Sequence, residues 1–200
     1  ADVELVAHAL GPLMDDLVLV GGCAVGLLVT DPTRPPVRAT GDVDLVTEVT
    51  PRSSYYALCE RLKERGFHEC AEVICRWRLR DLKVDVMPCD EAVLTFTNSW
   101  YAQAAKTAQR QTLPSGRAIR VVSAPLFIAT KLESFRSRGH GDYMHHDMED
   151  IVLVLDGRPS IVEDVQSASP EVRAFLEDEF EALLLDAAFD DRILWLLGGE

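Results

Sequence analysis

The sequence has no long hydrophobic run and no cysteine spacing typical of a zinc finger. Its longest apolar stretch, Leu17 to Val29, contains three glycines and is shorter than the roughly 18 apolar residues of a transmembrane helix. The five cysteines form no C-x-x-C pair, so we expect reduced thiols. Residues 1–12 lack a basic stretch followed by an apolar one. We therefore expect no signal peptide, no membrane partner and a cytoplasmic location.

The sequence also lacks positive charge at its C-terminal end. The formal net charge of the 200 residues is −13, which argues against a protein that coats nucleic acid nonspecifically. Residues 163–200 hold 11 acids and only two bases, Arg173 and Arg192. The rest of the chain is near charge balance, which leaves room for a local basic surface there.

The order of elements indicates a mixed α/β core followed by helices. Up to about residue 122, strand-like apolar runs alternate with helical segments and with turns that contain glycine or proline. From Pro125 onward the apolar periodicity is helical. We therefore expect a core over residues 1–122, with a mixed twisted sheet flanked by helices, and a C-terminal helical region over residues 123–200.

Two aspartates, Asp42 and Asp44, interrupt a segment that otherwise reads as a buried strand, DVDLV. Residues i and i+2 of a strand point to the same face, so the two carboxylates lie side by side and repel each other unless a cation lies between them. Asp85 in KVDVMP is the natural third ligand, because its valine neighbours point inward. The three predict a site for Mg²⁺ (or Mn²⁺), of the kind used in nucleotidyl transfer. The alternative is that each acid is a solvated strand residue.

A glycine pair, Gly21 and Gly22, ends the strand-like segment LVLV. Glycine allows backbone N–H groups to face a phosphate with no side chain in the way, at a point where a strand runs into a helix. Many strand–helix turns use glycine without binding a phosphate. The pair gains weight from its position, since Gly22 stands twenty residues before Asp42.

Three arginines, Arg76, Arg78 and Arg80, alternate with apolar residues in CRWRLRD. The alternation predicts that they share one face of a hairpin strand that turns near Asp81, beside the strand of Asp85. One interpretation is a strip of RNA phosphate contacts. The other is a solvated polar face.

Five ordered segments together resemble the AbiEii/MenT-like nucleotidyltransferase toxins of type IV toxin–antitoxin systems, within the DNA polymerase β-like superfamily. Between about residues 17 and 157 they read GGCAVGLL, RATGDVDL, KVDVMP, KLESFRSRG and HDMEDIVLVLDGR. The chain departs from the family pattern at Cys23, where the family has Ser or Thr. A thiol is a poorer hydrogen-bond donor to a triphosphate than a hydroxyl group.

The resemblance implies roles for individual residues in a nucleotidyltransferase fold. The C-terminal region would contribute Lys131, which holds the triphosphate, and Asp147, the acid beside that lysine. The residues implied in catalysis are Asp42, Asp44, Asp85, Lys131 and Asp147. The residues implied in nucleotide binding are Gly21, Gly22, Cys23, Arg38, Thr40, Lys131 and Asp150.

Two of these assignments have plain structural alternatives, and one pair of histidines has two interpretations. Lys131 also fits a surface helix lysine, and Asp150 also fits an ion pair with Arg136 or Arg138. The adjacent histidines His145 and His146 fit either a transition-metal site or a loop pair near the site.

The implied activity is metal-dependent transfer of a nucleoside monophosphate from a nucleoside triphosphate to a tRNA 3′ end, with release of pyrophosphate. The resemblance also implies a toxin and a cognate antitoxin protein as its partner. Two alternatives stay open, namely transfer to a small molecule or a protein, and a degenerate fold that only binds a partner.

Overall fold

The computed structural model describes residues 2–34, 40–48, 52–94 and 97–197. The chain divides into two compact units, of which the first comprises residues 1–24 and 38–122. The second comprises residues 25–37 and 123–200. Residues 25–37 thus group with the C-terminal helices, although the sequence placed them in the core.

A seven-stranded mixed sheet forms the centre of the first unit, as the sequence predicted. Its strands are β1 (Leu17–Val20), β2 (Asp42–Thr47), β3 (His68–Glu69), β4 (Arg76–Leu79), β5 (Leu82–Pro88), β6 (Gln109–Thr112) and β7 (Ala118–Val121). They pair in the order β3-β4-β5-β2-β1-β7-β6. The pairs β2–β5 and β1–β7 are parallel, and the other neighbours are antiparallel.

Alternation along the central strands separates an apolar face from a polar one. In β2, Val43 and Leu45 are buried while Asp42 and Asp44 are half-buried. In β5, Val84 and Val86 are fully buried on either side of Asp85. The period of two that the sequence shows therefore places all three aspartates on the same face of adjacent strands.

Among its described residues, the first unit also contains three helices and two short 3₁₀ turns. The helices are α1 (Asp2–Leu10), α3 (Arg52–Glu64) and α4 (Tyr101–Lys106), and the 3₁₀ turns are Gly11–Asp16 and Gly22–Ala24. In the sequence, Gly66 indicates a helix stop, and it lies just after α3 with a φ of 83°. The pair Thr50 and Pro51 is typical of a helix cap and first turn in the sequence, and both residues lie outside the described ones.

The second unit is helical. It contains α2 (Val25–Leu28), α5 (Ala124–Arg138), α6 (His146–Gly157), α7 (Ile161–Gln166), α8 (Pro170–Leu184) and α9 (Ala187–Leu196). Helix α5 packs against α6, α7 and α8, and residues 124–132 of it are buried throughout. Within the described residues, none of the helices combines the length and the apolarity that crossing a bilayer requires.

Hydrogen bonds explain why residues 25–37 belong to this unit. The backbone N–H groups of Thr30 and Asp31 both donate to the carbonyl oxygen of Gly157, at 2.9 and 3.0 Å. Arg34 forms an ion pair with Asp156. These contacts join segments more than 120 residues apart in the chain, so a linear reading of the sequence does not show them.

Candidate active site

Three carboxylates converge on the polar face of the β2–β5 pair. The parallel register places Asp44 directly beside Asp85, and Asp42 two residues away on the same face. One carboxylate oxygen from each residue lies within 4.8 Å of the others. The structure therefore brings together the three residues that the sequence grouped, and we call them the carboxylate cluster.

Gly21 approaches the carboxylate cluster closely. Its φ is 65°, a left-handed conformation that favours glycine, and a Cβ atom at this position would overlap the carboxylate of Asp44. The Gly22–Ala24 turn and α2 follow directly, so the predicted strand–turn–helix connection is present. A side chain at residue 21 would displace Asp44.

Cys23 and Thr40 support the start of β2. The Cys23 Sγ atom lies 2.8 Å from Thr40 Oγ1 and donates to the backbone carbonyl of Asp42 at 3.1 Å. The Thr40 hydroxyl group donates to the same carbonyl at 3.2 Å. Burial raises the pKa of the Cys23 thiol, which is therefore protonated at neutral pH. Arg38, the other predicted ligand in this segment, lies outside the described residues.

Arg76 is bonded to the carboxylate cluster. It lies opposite Asp85 in the β4–β5 pair, and its Nε and Nη2 atoms donate to Asp85 Oδ1 and Oδ2 at 2.8 and 2.7 Å. The hydrogen bonds to Asp85 raise the pKa of Arg76. This arginine, predicted as an RNA contact, is therefore engaged by a predicted metal ligand.

The prediction that Arg76, Arg78 and Arg80 share one strand face is wrong for Arg80. Strand β4 ends at Leu79, and Arg80 lies in the turn with a φ of 56°. Tight hairpin turns need positive φ values, and this requirement overrides the alternation along the strand.

Lys83 is a cation on this face that the sequence analysis missed. It is exposed, lies beside Asp42 in the β2–β5 register and beside Arg78 in the β4–β5 register. Its spacing of i, i+2 from Asp85 was the signal that could have identified it.

A network of charged residues lies in the second unit, with its lysine and two aspartates buried and its arginine exposed. Lys131 Nζ lies 2.9 Å from Asp147 Oδ1 and 2.7 Å from Asp150 Oδ2. Arg138 donates to both oxygens of Asp147, at 2.8 and 2.9 Å. We call Lys131, Arg138, Asp147 and Asp150 the lysine network. Asp147 is the acid beside Lys131, as the resemblance implied.

The surface-lysine interpretation of Lys131 can now be decided, and so can the Arg136 half of the ion-pair interpretation of Asp150. Lys131 is 6% exposed, so the interpretation as a surface lysine is wrong. Asp150 pairs with Lys131, while Arg136 pairs with Glu179. The interpretation of Asp150 as a partner of Arg136 is therefore wrong.

Opposite charges keep Asp147 and Lys131 ionised. Burial alone would raise the pKa of Asp147, but hydrogen bonds from Arg138 and the charge of Lys131 lower it to about 2. Burial likewise opposes the charge of Lys131, yet Asp150 and Asp147 outweigh it and raise its pKa.

Acidification should destabilise the protein through Asp147. Its pKa is about 2 in the folded chain and 3.8 ordinarily, so its stabilising effect is complete above pH 3.8 and is lost as the pH falls to 2. The expected loss is about 2 kcal/mol of unfolding free energy. Urea unfolding at pH 5, 4, 3 and 2 measures it, with Asp147→Asn as the comparison. If the native chain and the variant lose equal stability over this range, the prediction is wrong.

His145 and His146 adjoin the lysine network. Each offers a ring nitrogen that lies, with a carboxylate oxygen of Asp147, in a group within 4.8 Å. However, Asp147 already binds Lys131 and Arg138, two cations that oppose a metal ion there. His145 Nδ1 accepts the backbone N–H of Asp147 at 3.2 Å and so caps α6. The geometry favours the loop-pair interpretation.

Comparison with known proteins identifies the fold. No family model and no curated protein matches the chain. Among solved structures, an antigenic nucleotidyltransferase-like protein from Paracoccidioides brasiliensis is similar over 90% of this chain and 86% of its own, with 22% identity and a TM-score of 0.58. This is a nucleotidyltransferase fold.

Two structures of one further protein share the fold. The antibiotic-resistance factor ANT(2'')-Ia in solution is 17% identical over 90% of this chain and 92% of its own, with a TM-score of 0.51. Its crystal structure with adenylyl-2''-tobramycin is 15% identical over 90% of this chain and 95% of its own, with a TM-score of 0.52. The predicted fold class is therefore confirmed.

Proposed function

We propose that the protein is a metal-dependent nucleotidyltransferase. The observation that carries the proposal is the carboxylate cluster on the polar face of a nucleotidyltransferase fold. Three carboxylates and the guanidinium of Arg76 together carry a charge of −2, which one divalent ion neutralises. The donors are all oxygen atoms, which suit Mg²⁺ or Mn²⁺.

In this proposal, a metal ion would be held by Asp42, Asp44 and Asp85. When bound, it would align the α-phosphate and offset its developing charge. The acceptor hydroxyl group attacks the α-phosphorus in line and gives its proton to Asp85. The bond from the α-phosphorus to the bridging oxygen breaks, and pyrophosphate leaves. The close approach of Gly21 to Asp44 keeps side chains away from the phosphates.

The remaining nucleotide contacts in the proposal come from the resemblance. The backbone N–H groups of the glycine turn would face the phosphates, and Lys131 would hold the triphosphate. The other residues with this proposed role are Cys23, Arg38, Thr40 and Asp150, and Asp147 would orient Lys131.

The proposed acceptor is a tRNA 3′ end, in a toxin that a cognate antitoxin counteracts. The five segments that resemble the toxin family support this acceptor. A second candidate is a small hydroxylated molecule, which the fold shared with an antibiotic-resistance factor favours. Incubation with each α-labelled triphosphate, Mg²⁺ and total tRNA distinguishes them. Label in tRNA supports the first candidate, and label that never enters RNA contradicts it.

Transfer to RNA should depend on Arg78 and Lys83. They are exposed, lie side by side on β4 and β5, and flank the carboxylate cluster, whereas Arg76 is bound to Asp85. The double substitution to serine should suppress tRNA labelling, reduce the salt slope of binding by about two units, and leave triphosphate affinity unchanged. Lys106→Ser with Arg110→Ser is the matched control, since both are exposed cations, one on α4 and one on the edge strand β6. Native labelling rates at all salt concentrations would contradict this prediction.

Substitution of Cys23 should have little effect. Its thiol forms weak hydrogen bonds with Thr40 and with the Asp42 carbonyl. The Thr40 hydroxyl group also donates a hydrogen bond to that carbonyl. We expect Cys23→Ser to bind triphosphate at least as tightly as the native chain and Cys23→Ala to lose less than about threefold in affinity. Equilibrium binding of each triphosphate checks this. A large loss in Cys23→Ala would show that the thiol itself contributes.

A further inference from the structure

Arg76 and Asp85 form an ion pair whose geometry is set by the pairing of their strands. The two residues lie opposite each other on paired strands, and Trp77, which follows Arg76, is 1% exposed. The backbone of Arg76 is therefore anchored by the sheet and the core. Its guanidinium makes two parallel bonds to one carboxylate, at 2.8 and 2.7 Å. Such a fork defines the plane of the carboxylate, which a single bond does not.

This contact is compatible with metal binding by Asp85. An ionised carboxylate offers about four lone-pair sites, and the fork uses one on each oxygen. One oxygen atom of Asp85 lies within 4.8 Å of an oxygen atom of Asp42 and of Asp44. A metal ion between the three carboxylates can therefore use a remaining lone pair of Asp85. Arg76 thus limits the orientations of Asp85 without occupying the whole carboxylate.

The positive charge of Arg76 opposes the binding of a metal ion at the carboxylate cluster. A guanidinium a few ångströms away repels a divalent cation, and that repulsion is substantial in partly buried surroundings. Asp85 is 7% exposed, so solvent screens the pair only in part. Arg76 should therefore weaken metal binding at equilibrium while it orients the carboxylate for the reaction.

We propose that Arg76 is a positioning residue of the metal site, whose fork orients Asp85 and whose charge limits the affinity of the site for a divalent ion. The inference rests on the proposed function, because it requires a metal ion at the carboxylate cluster. It assigns Arg76 to the site itself, in place of the RNA contact that the sequence analysis predicted.

Two substitutions separate the charge from the fork. Arg76→Gln removes the charge and should tighten Mn²⁺ binding by roughly tenfold, while kcat falls by at least about tenfold. Arg76→Lys keeps the charge but lacks the fork, so Mn²⁺ affinity should stay near the native value while kcat falls. Arg110→Gln on the edge strand β6 is the control and should change neither quantity appreciably.

The intact chain is titrated with Mn²⁺ in the absence of nucleotide, and electron paramagnetic resonance measures the bound ion. Asp44→Asn is the reference that lacks the metal site. If the native chain binds Mn²⁺ but Arg76→Gln binds it no more tightly, the inference is wrong and the proposed function survives. If the native chain binds no Mn²⁺, the proposed function itself fails. Should Arg76→Gln not fold, Arg76→Lys decides. Native kcat in that variant overturns the inference, and reduced kcat at unchanged Mn²⁺ affinity supports it.

Discussion

Replacing Asp44 with asparagine should lower nucleotidyl transfer by at least about 100-fold and leave the melting temperature nearly unchanged. Asp44 lies between Gly21 and Asp85, so its carboxylate is central to the proposed metal site. Asparagine has nearly the same shape and keeps the clearance over Gly21. It removes the charge that attracts the metal ion, and the three carboxylates no longer act together.

Release of labelled pyrophosphate and thermal unfolding together measure this effect. Asp81→Asn is the matched control, since Asp81 is an exposed acid in the β4–β5 turn of the same unit. The control should retain native turnover. If Asp44→Asn also retains it, the carboxylate cluster is not the catalytic site.

Replacing Lys131 with methionine should destabilise the protein by about 3–5 kcal/mol. The substitution preserves the length and apolar stem of the side chain but removes the cation between Asp147 and Asp150, which are 0% and 1% exposed. Both acids lose their bond to Lys131, while Arg138 stays bonded to Asp147. Urea unfolding of the native chain and the variant measures the difference.

A double variant shows whether buried charge is the cause. Lys131→Met with Asp150→Asn leaves no carboxylate at residue 150 and should recover most of the lost stability. Lys106→Met makes the same substitution at an exposed lysine on α4 and should stay close to native. Native stability in Lys131→Met would contradict the structural role of this network.

The sequence predicted the parts of the fold that depend on local periodicity. Alternation in DVDLV and KVDVMP placed Asp42, Asp44 and Asp85 on one face, because a strand reverses its side chains at every residue. The segment QTLPSGRAIRVVS predicts a second hairpin with its turn at residues 114–116, and β6 and β7 pair on either side of that turn. These features require only neighbouring residues and therefore appear in the sequence.

The features that the sequence did not predict depend on partners distant in the chain. The bond from Arg76 to Asp85 depends on the β4–β5 register, which makes Arg76 and not Arg78 the partner. Lys131 was predicted beside Asp147 only through a resemblance. Its burial between two acids results from the packing of α5 against α6. Packing decides which of several similar charged residues forms a given ion pair, and the composition of the sequence does not show this.

The central claim is that Asp42 and Asp44 hold a divalent ion at the polar face of β2. The most direct test is a crystal structure of the intact chain with Mn²⁺ and a non-hydrolysable triphosphate, in which anomalous scattering locates the metal. The account predicts a Mn²⁺ ion about 2.1 Å from oxygen atoms of both Asp42 and Asp44, with the triphosphate bound beside it. A Mn²⁺ ion at His145 and His146, with none at the carboxylate cluster, would contradict the account.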